Sequence, residues 1–310
     1  MELFRVQSKI DFMGRRKLAS VLSAVLLIAA LSGLVIRGLN FGIDFTGGVL
    51  VEVSYPEAVE LNVVRPQLAS AGFADAIVQH FGTSRDVLIR IPPRDDIENE
   101  RISDAAFAVL QGQEPQLSLR RVEFVGPQVG EELANDGGLA LLVALLGILI
   151  YVALRFEYRF ALGAVAALVH DVLITLGMFA WTQITFDLSV LAALLAVIGY
   201  SLNDTIVVFD RIRENFIDLR KVTPTQVINA SINQTLSRTL MTSFTTLLVL
   251  LALLFIGGAA IQAFAIALTA GIVVGTYSSI YVASNLALML GVNRANLLPV
   301  NKDDQPKEQL

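Results

Sequence analysis

The sequence predicts a polytopic α-helical membrane protein of six transmembrane helices, with one small α+β ferredoxin-like domain outside the bilayer. Three observations predict it. The 310 residues are 55% hydrophobic and only 16% charged, against roughly 45–50% and about 25% in soluble domains. Six apolar segments reach the length of about 20 residues that a helical span needs. The polar stretch between the first two of them alternates between strand and helix patterns.

Residues 1–17 form a basic N-terminal segment ending in Arg15, Arg16 and Lys17, and the first span covers 18–36. Its apolar core exceeds the roughly 7–15 residues of a cleavable signal, and no A-x-A site follows, so an uncleaved anchor is expected. The polar domain covers 37–136. Further spans are expected at 137–154, 160–181, 188–209, 240–256 and 263–290, with a loop and helix start over 210–239 and a tail over 291–310.

Within the domain, Val49–Tyr55 alternates like a strand, and Asp75–Phe81 and Val87–Ile91 read as two strands joined by a turn at Gly82–Ser84. Leu61–Ala71 and Asp96–Leu110 read as helices, and Leu117–Val125 as the last strand. The order βαββαβ is the split-βαβ motif. Gly42–Gly48 reads as a turn into the first strand, with Asp44 as turn former and Gly47 and Gly48 supplying unusual dihedrals.

Basic residues of short loops set the orientation. Arg155, Arg159, Arg211, Arg213, Arg220 and Lys221 fall in two loops, and Arg294, Lys302 and Lys307 in the tail, whereas 182–187 and 257–262 carry none. Both termini are therefore expected in the cytoplasm and the domain on the far side, periplasmic in a bacterium.

The chain has no cysteine, so it holds no disulfide or thiolate metal site. It contains no GxxxxGK[ST] loop for nucleotide hydrolysis. Its two histidines, His80 and His170, lie far apart without a metal-ligand pattern. No metal or cofactor and no enzymatic activity are expected.

The first functional suspect is Asp204. It interrupts the fourth span together with Ser201 and Asn203, and a carboxylate at bilayer depth is too costly to keep without a use. It lies roughly 10 Å from Arg211 at about 1.5 Å per residue, with Tyr200 and Ser201 a turn away on its face. Two readings are open: an interfacial residue capped by Asn203 or paired with Arg211, or an interior proton-binding group.

The fifth helix supplies a partner. Thr223-Pro-Thr-Gln226 matches a capping box with proline at N1. Ser231, Gln234, Thr235, Arg238, Thr242 and Thr245 form a polar stripe entering the membrane. Arg238 either snorkels to the headgroups or faces inward, which the stripe favours. Depth permits an Asp204–Arg238 pair, in which burial and the guanidinium would act on the carboxylate in opposite senses.

In the third span Gly163, Ala167, Asp171 and Thr175 form a small or polar stripe facing other helices. Asp171 is either a structural hydrogen-bonding group or a weaker member of the proton pathway, as is Asn203. His170 reads as a satisfied packing residue. Gly271, Gly275, Ser279 and Ala283 make a small-xxx-small ridge on the sixth span, its partner helix unassigned.

Four stretches together carry a resemblance: 40–48 (NFGIDFTGG), 122–130 (VEFVGPQVG), 169–177 (VHDVLITLG) and 203–215 (NDTIVVFDRIREN). They resemble the SecF branch of the SecD/SecF family of bacterial protein-export membrane subunits, over about Phe12 to Gly291. The resemblance implies half of an RND-type twelve-span unit, completed by SecD and associated with YajC and the SecYEG translocon in the bacterial inner membrane. It implies use of the proton-motive force to draw unfolded polypeptide out on the periplasmic side. By motif it assigns Asp204 and Arg238 to the proton pathway. Asp44, Gly47, Gly48, Gly126 and Pro127 fall in the matching stretches as structural positions. The competing readings are a half-subunit of an RND-type exporter of lipid or small molecules, for which one domain of this size is small, and a structural scaffold, which leaves Asp204 unexplained.

Overall fold

Strand-like alternation in one stretch and long apolar runs elsewhere divide the chain between a sheet and a helical bundle. The computed structural model describes residues 9–94, 99–219 and 221–294. The expected helix start at Asp96, the loop base Arg220, the tail bases Lys302 and Lys307, and residues 1–8 lie outside them.

After a single 3-10 turn, Met13–Arg15, the first span is α1 (Arg16–Ile36). It lies against α6 (Tyr158–Thr182). Small residues set the spacing: a Cβ on Gly177 would fall 2.3 Å from that of Ala30. Trp181 Nε1 donates to the Ala29 carbonyl at 2.7 Å across this contact.

The segment expected as a plain turn contains a one-turn helix, α2 (Ile43–Thr46). Gly47 (φ +69°) and Gly48 (φ +114°) then turn the chain into β1 (Gly48–Ser54). Both conformations favour glycine. Space is also short, because a Cβ on Gly48 would sit 2.4 Å from the Ile91 carbonyl oxygen.

The domain continues as α3 (Leu61–Ser70), β2 (Ile77–Phe81), β3 (Thr83–Ile91), α4 (Asn99–Gln113) and β4 (Ser118–Val125). The strand order is β2-β3-β1-β4, with every neighbouring pair antiparallel. This is the ferredoxin-like split βαβ. The β2–β3 turn is tighter than expected, since Thr83 already pairs with Phe81 and only Gly82 lies between the strands. Val49, Val51, Val53, Val87, Ile89 and Ile91 face α3 and α4 and form the domain core with Val64, Leu68, Ile102 and Leu110.

The second spanning helix, α5 (Pro127–Arg155), starts at Pro127 and not at 137. Gly126 is its N-cap and Pro127 its first residue, so polar residues such as Glu131 and Asp136 form an extension of the span and not a loop. The remaining spans are α6, α7 (Leu188–Asp218), α8 (Pro224–Ile256) and α9 (Ala259–Ser278). A π-helical turn, Ser279–Ala283, joins α9 to α10 (Ser284–Met289), which completes the last span. The fourth and sixth spans are longer than their apolar cores indicated, α7 ending at Asp218 and the last beginning at Ala259.

The α6–α7 and α8–α9 turns lie at the sheet end: Gln79 of β2 donates to Thr185 at 3.2 Å, and Gly82 approaches Ala259. Phe12, Phe156, Phe216, Val227 and Val292 pack together at the other end. Within the bundle α6 and α7 are the most buried spans, whereas α5 and α8 leave Leu142, Phe244 and Phe255 exposed.

Candidate functional site: two buried carboxylates and a clasp to the sheet

The rotation of α7 is fixed at its first turn, where Asp187 Oδ1 accepts from Val190 N at 3.0 Å and Ser189 Oγ at 2.6 Å. That rotation turns Ser201, Asp204 and Thr205 inward, all buried. Asp204 Oδ1 accepts from Thr239 Oγ1 of α8 at 2.5 Å, and Oδ2 from Ser279 Oγ at 2.6 Å. The carboxylate thus joins three helices through hydroxyls.

No hydrogen bond or ion pair joins Asp204 to Arg238 among the described residues, and Arg238 is exposed, although the charge of its guanidinium still acts on the carboxylate. The reason lies in the width of the α8 stripe. Ser231, Thr235, Thr239 and Ser243, at four-residue steps, face inward and are buried, while Gln234, Arg238, Thr242 and Thr245 lie on the next face and are exposed. Thr239, the residue that reaches Asp204, is the immediate neighbour of Arg238. Asn203 is also exposed and does not cap Asp204, and Arg211 bonds Gln234 and Glu214 instead. The capping box at Thr223 and Gln226 forms and starts α8 at Pro224.

Asp171 occupies a second buried position, 1% exposed. Its Oδ2 accepts from Ser201 of α7 at 2.6 Å and Ser278 of α9 at 2.7 Å, and its Oδ1 lies 2.9 Å from His170 Nδ1. His170 is not fully satisfied as expected: among the described residues, its buried Nε2 has no hydrogen-bond partner. The small-residue ridge of the last span meets α7, where Gly271 faces Val197 and Gly275 faces Ser201, while Ala283, the last residue of the π turn, meets Gly163 of α6.

The third component joins bundle to sheet. Gly42 N donates to the Phe186 carbonyl and Phe186 N to the Asn40 carbonyl, both at 2.8 Å, which lays one parallel bridge between the segment after α1 and the α6–α7 turn. Arg90 of β3, 5% exposed, holds this bridge by donating to the Phe41 carbonyl and, at 2.6 Å, to Asn40 Oδ1. Burial pulls the Arg90 pKa below its ordinary value. Asp44 is more than a turn former, since its Oδ2 accepts from Leu188 N at 3.0 Å at the start of α7. The helix bearing Asp204 is therefore tied to the sheet domain.

Sequence reasoning missed Arg90, Thr239 and Ser278, and read Ser279 only as part of a packing ridge. Two adjacent serines in the apolar last span were a usable signal, whereas Arg90 looked like one charge in an alternating strand.

A family model described as "Protein export membrane protein SecD/SecF, C-terminal" matches residues 106–293, and one described as "SecD/SecF GG Motif" matches residues 32–55. The chain belongs to the SecD/SecF family. It is 51% identical over 308 residues to a protein translocase subunit SecF of Vibrio alginolyticus, covering 99% of this chain and 98% of that one. It is 45% identical to the SecF subunit of Escherichia coli O157:H7, covering 96% and 93%. Among solved structures it matches SecDF, a translocon-associated membrane protein of Thermus thermophilus, with a TM-score of 0.85 at 40% identity. That match covers 93% of this chain and 39% of the SecDF chain, so this SecD/SecF member spans well under half of it. SecDF in a super-membrane-facing form matches with a TM-score of 0.70 at the same identity and coverage. The glycine-rich segment that names one family model is the segment that carries the clasp.

Proposed function

We propose that this SecD/SecF family member is an auxiliary subunit of Sec protein export. It pairs with a SecD-type half, associates with SecYEG and YajC, and uses the proton-motive force to promote late, periplasmic-side steps of translocation. It resides in the bacterial inner membrane with both termini cytoplasmic and the sheet domain periplasmic. The proton is its only energy source; it has no cofactor and catalyses no bond cleavage.

The observation that carries this reading is the hydroxyl-held Asp204. An ionised carboxylate accepts from both Thr239 and Ser279, whereas a protonated one donates from one oxygen and accepts at the other. A single proton therefore requires one of the two hydroxyls to turn, which weakens the tie of α7 to α8 or to the last span. Through Asp44 and Phe186, the start of α7 passes its displacement to the sheet domain. Arg238, on the open face of α8, acts where the partner half closes the bundle, next to the helix turn that bonds Asp204.

The test is Asp204→Asn in inverted membrane vesicles carrying the complete complex. Gradient-dependent stimulation of export should fall to the level seen with a protonophore. Retained stimulation in folded, fully abundant variant would overturn the proposal.

A further inference from the structure

The last span changes helical type where it passes between the two buried carboxylates. Ser284 Oγ bonds the Ser279 carbonyl five residues back at 3.0 Å, within the π turn. Such turns are rare and concentrate at functional sites. Here consecutive residues serve different acids: Ser278 donates to Asp171 and Ser279 to Asp204. On α7, Ser201 bonds Asp171 and Asp204 follows one turn later. Neither Ser278 nor Ser279 can shift along the helix without altering both bonds.

Asp171 has what a proton carrier needs in its neighbour. With Nδ1–H donated to Asp171, neutral His170 keeps an open lone pair on Nε2, and that buried atom has no partner among the described residues. Buried polar atoms are nearly always paired, so an orphan of this kind asks for an explanation. The His170 ring stacks on Tyr277 at 6.1 Å. Tyr277 Oη in turn donates to the Ala19 carbonyl at 2.7 Å and lies 2.9 Å from Ser23 Oγ, carrying a polar thread to α1.

We propose that His170 and Asp171 form a second proton-binding dyad, coupled to Asp204 through the Ser278–Ser279 turn. The inference rests on the reading of Asp204 as the proton-responsive group. A proton taken up at Nε2 converts the dyad from a lone carboxylate charge to an imidazolium–carboxylate pair. The hold of Asp171 on Ser201 and Ser278 then loosens, and the turn that also positions Ser279 is freed. Among the described residues, Tyr277 and Ser278 face the dyad from the last span, and Tyr281, on which the charge of Arg15 acts, packs behind Tyr277. From α7 come Ser201 and, a turn away, Asp204. From α1 come Ser23 and a backbone carbonyl, and α5 packs Leu141, Leu145 and Ile148 against neighbouring residues of α6.

The experiment measures gradient-driven export against pH in vesicles carrying the full complex with His170→Gln, Asp171→Asn, Ser278→Ala or Asp204→Asn. H170Q and S278A should each move the midpoint of the pH profile by about one unit, and D171N should cut stimulation severalfold. A structural knot would lower amount or stability without moving that midpoint. If H170Q does not fold, S278A decides, since it removes one of the three groups bonded to Asp171 and leaves the dyad in place. Wild-type midpoints in both, beside a D204N that loses stimulation, would overturn the dyad and leave Asp204 standing. A D204N that keeps its stimulation would overturn both.

Discussion

At the scale of single residues, hydroxyls do at Asp204 what a guanidinium was expected to do. Thr239→Val keeps the shape of the side chain and removes its hydrogen bond, leaving Asp204 Oδ1 without its donor from α8. The cost should be about 1–3 kcal/mol, measured as a lower unfolding midpoint of the whole chain in detergent. Arg238→Gln should behave in the opposite way. Because the Arg238 side chain is exposed and makes no hydrogen bond or ion pair among the described residues, the variant should change stability by no more than about 0.5 kcal/mol while losing gradient-dependent export. A variant as unstable as Thr239→Val would place Arg238 in the chain's own core. Asp204 and its depth were legible in the sequence because a carboxylate in an apolar run has no cheap explanation. The direction of Arg238 was not, because polar residues on α8 occupy two adjacent faces and the 100° step between neighbours does not say which face is covered. Gly48→Ala should disrupt the start of β1, since both its φ and the nearby Ile91 carbonyl oppose a side chain. Hydrogen exchange of the β1–β3 pairs would report the loss.

At the scale of elements, the sheet domain has its own acid sensitivity. Hydroxyls of Ser54 and Thr83 bond Asp86, at 2.6 and 2.5 Å, and hold its carboxyl below the usual carboxylate range. A depressed carboxylate stabilises the fold above its unfolded pKa, and that contribution fades as pH falls through the folded value. Ser54→Ala should therefore narrow the stability difference between neutral and strongly acidic pH, read from hydrogen exchange of β1 and β3 in the full chain. The clasp is a second test at this scale. Arg90→Lys replaces a fork that spans two acceptors with a point charge, and the distance distribution between spin labels on α3 and on the α6–α7 turn should broaden. An unchanged distribution would show that the Phe41–Phe186 bridge holds without Arg90. The strands and α3 were legible from alternation and apolar spacing. The extension of α5 back to Pro127 was obscured by Glu131, Glu132 and Asp136, although Gly126-Pro127 is a helix-start signal. Helix α2 is too short for any periodicity to register.

At the scale of the whole molecule, the clasp joins parts of the chain that are far apart in order of synthesis. Asn40 and Gln183 are 143 positions apart, whereas Arg90 and Asn40 are separated by only 50. Domains generally fold as units, the N-terminal ones first during synthesis. The sheet domain buries its core using residues that all precede α5, so it can be complete before the α6–α7 turn has left the ribosome. The bridge from Phe41 to Phe186 then closes onto a finished domain, which makes it later than the contacts of the domain's own core. A chain halted after α5 should present a folded sheet domain with Arg90 still open to protease or chemical labelling, and protection at Asn40–Gly42 should appear only once α7 has been inserted.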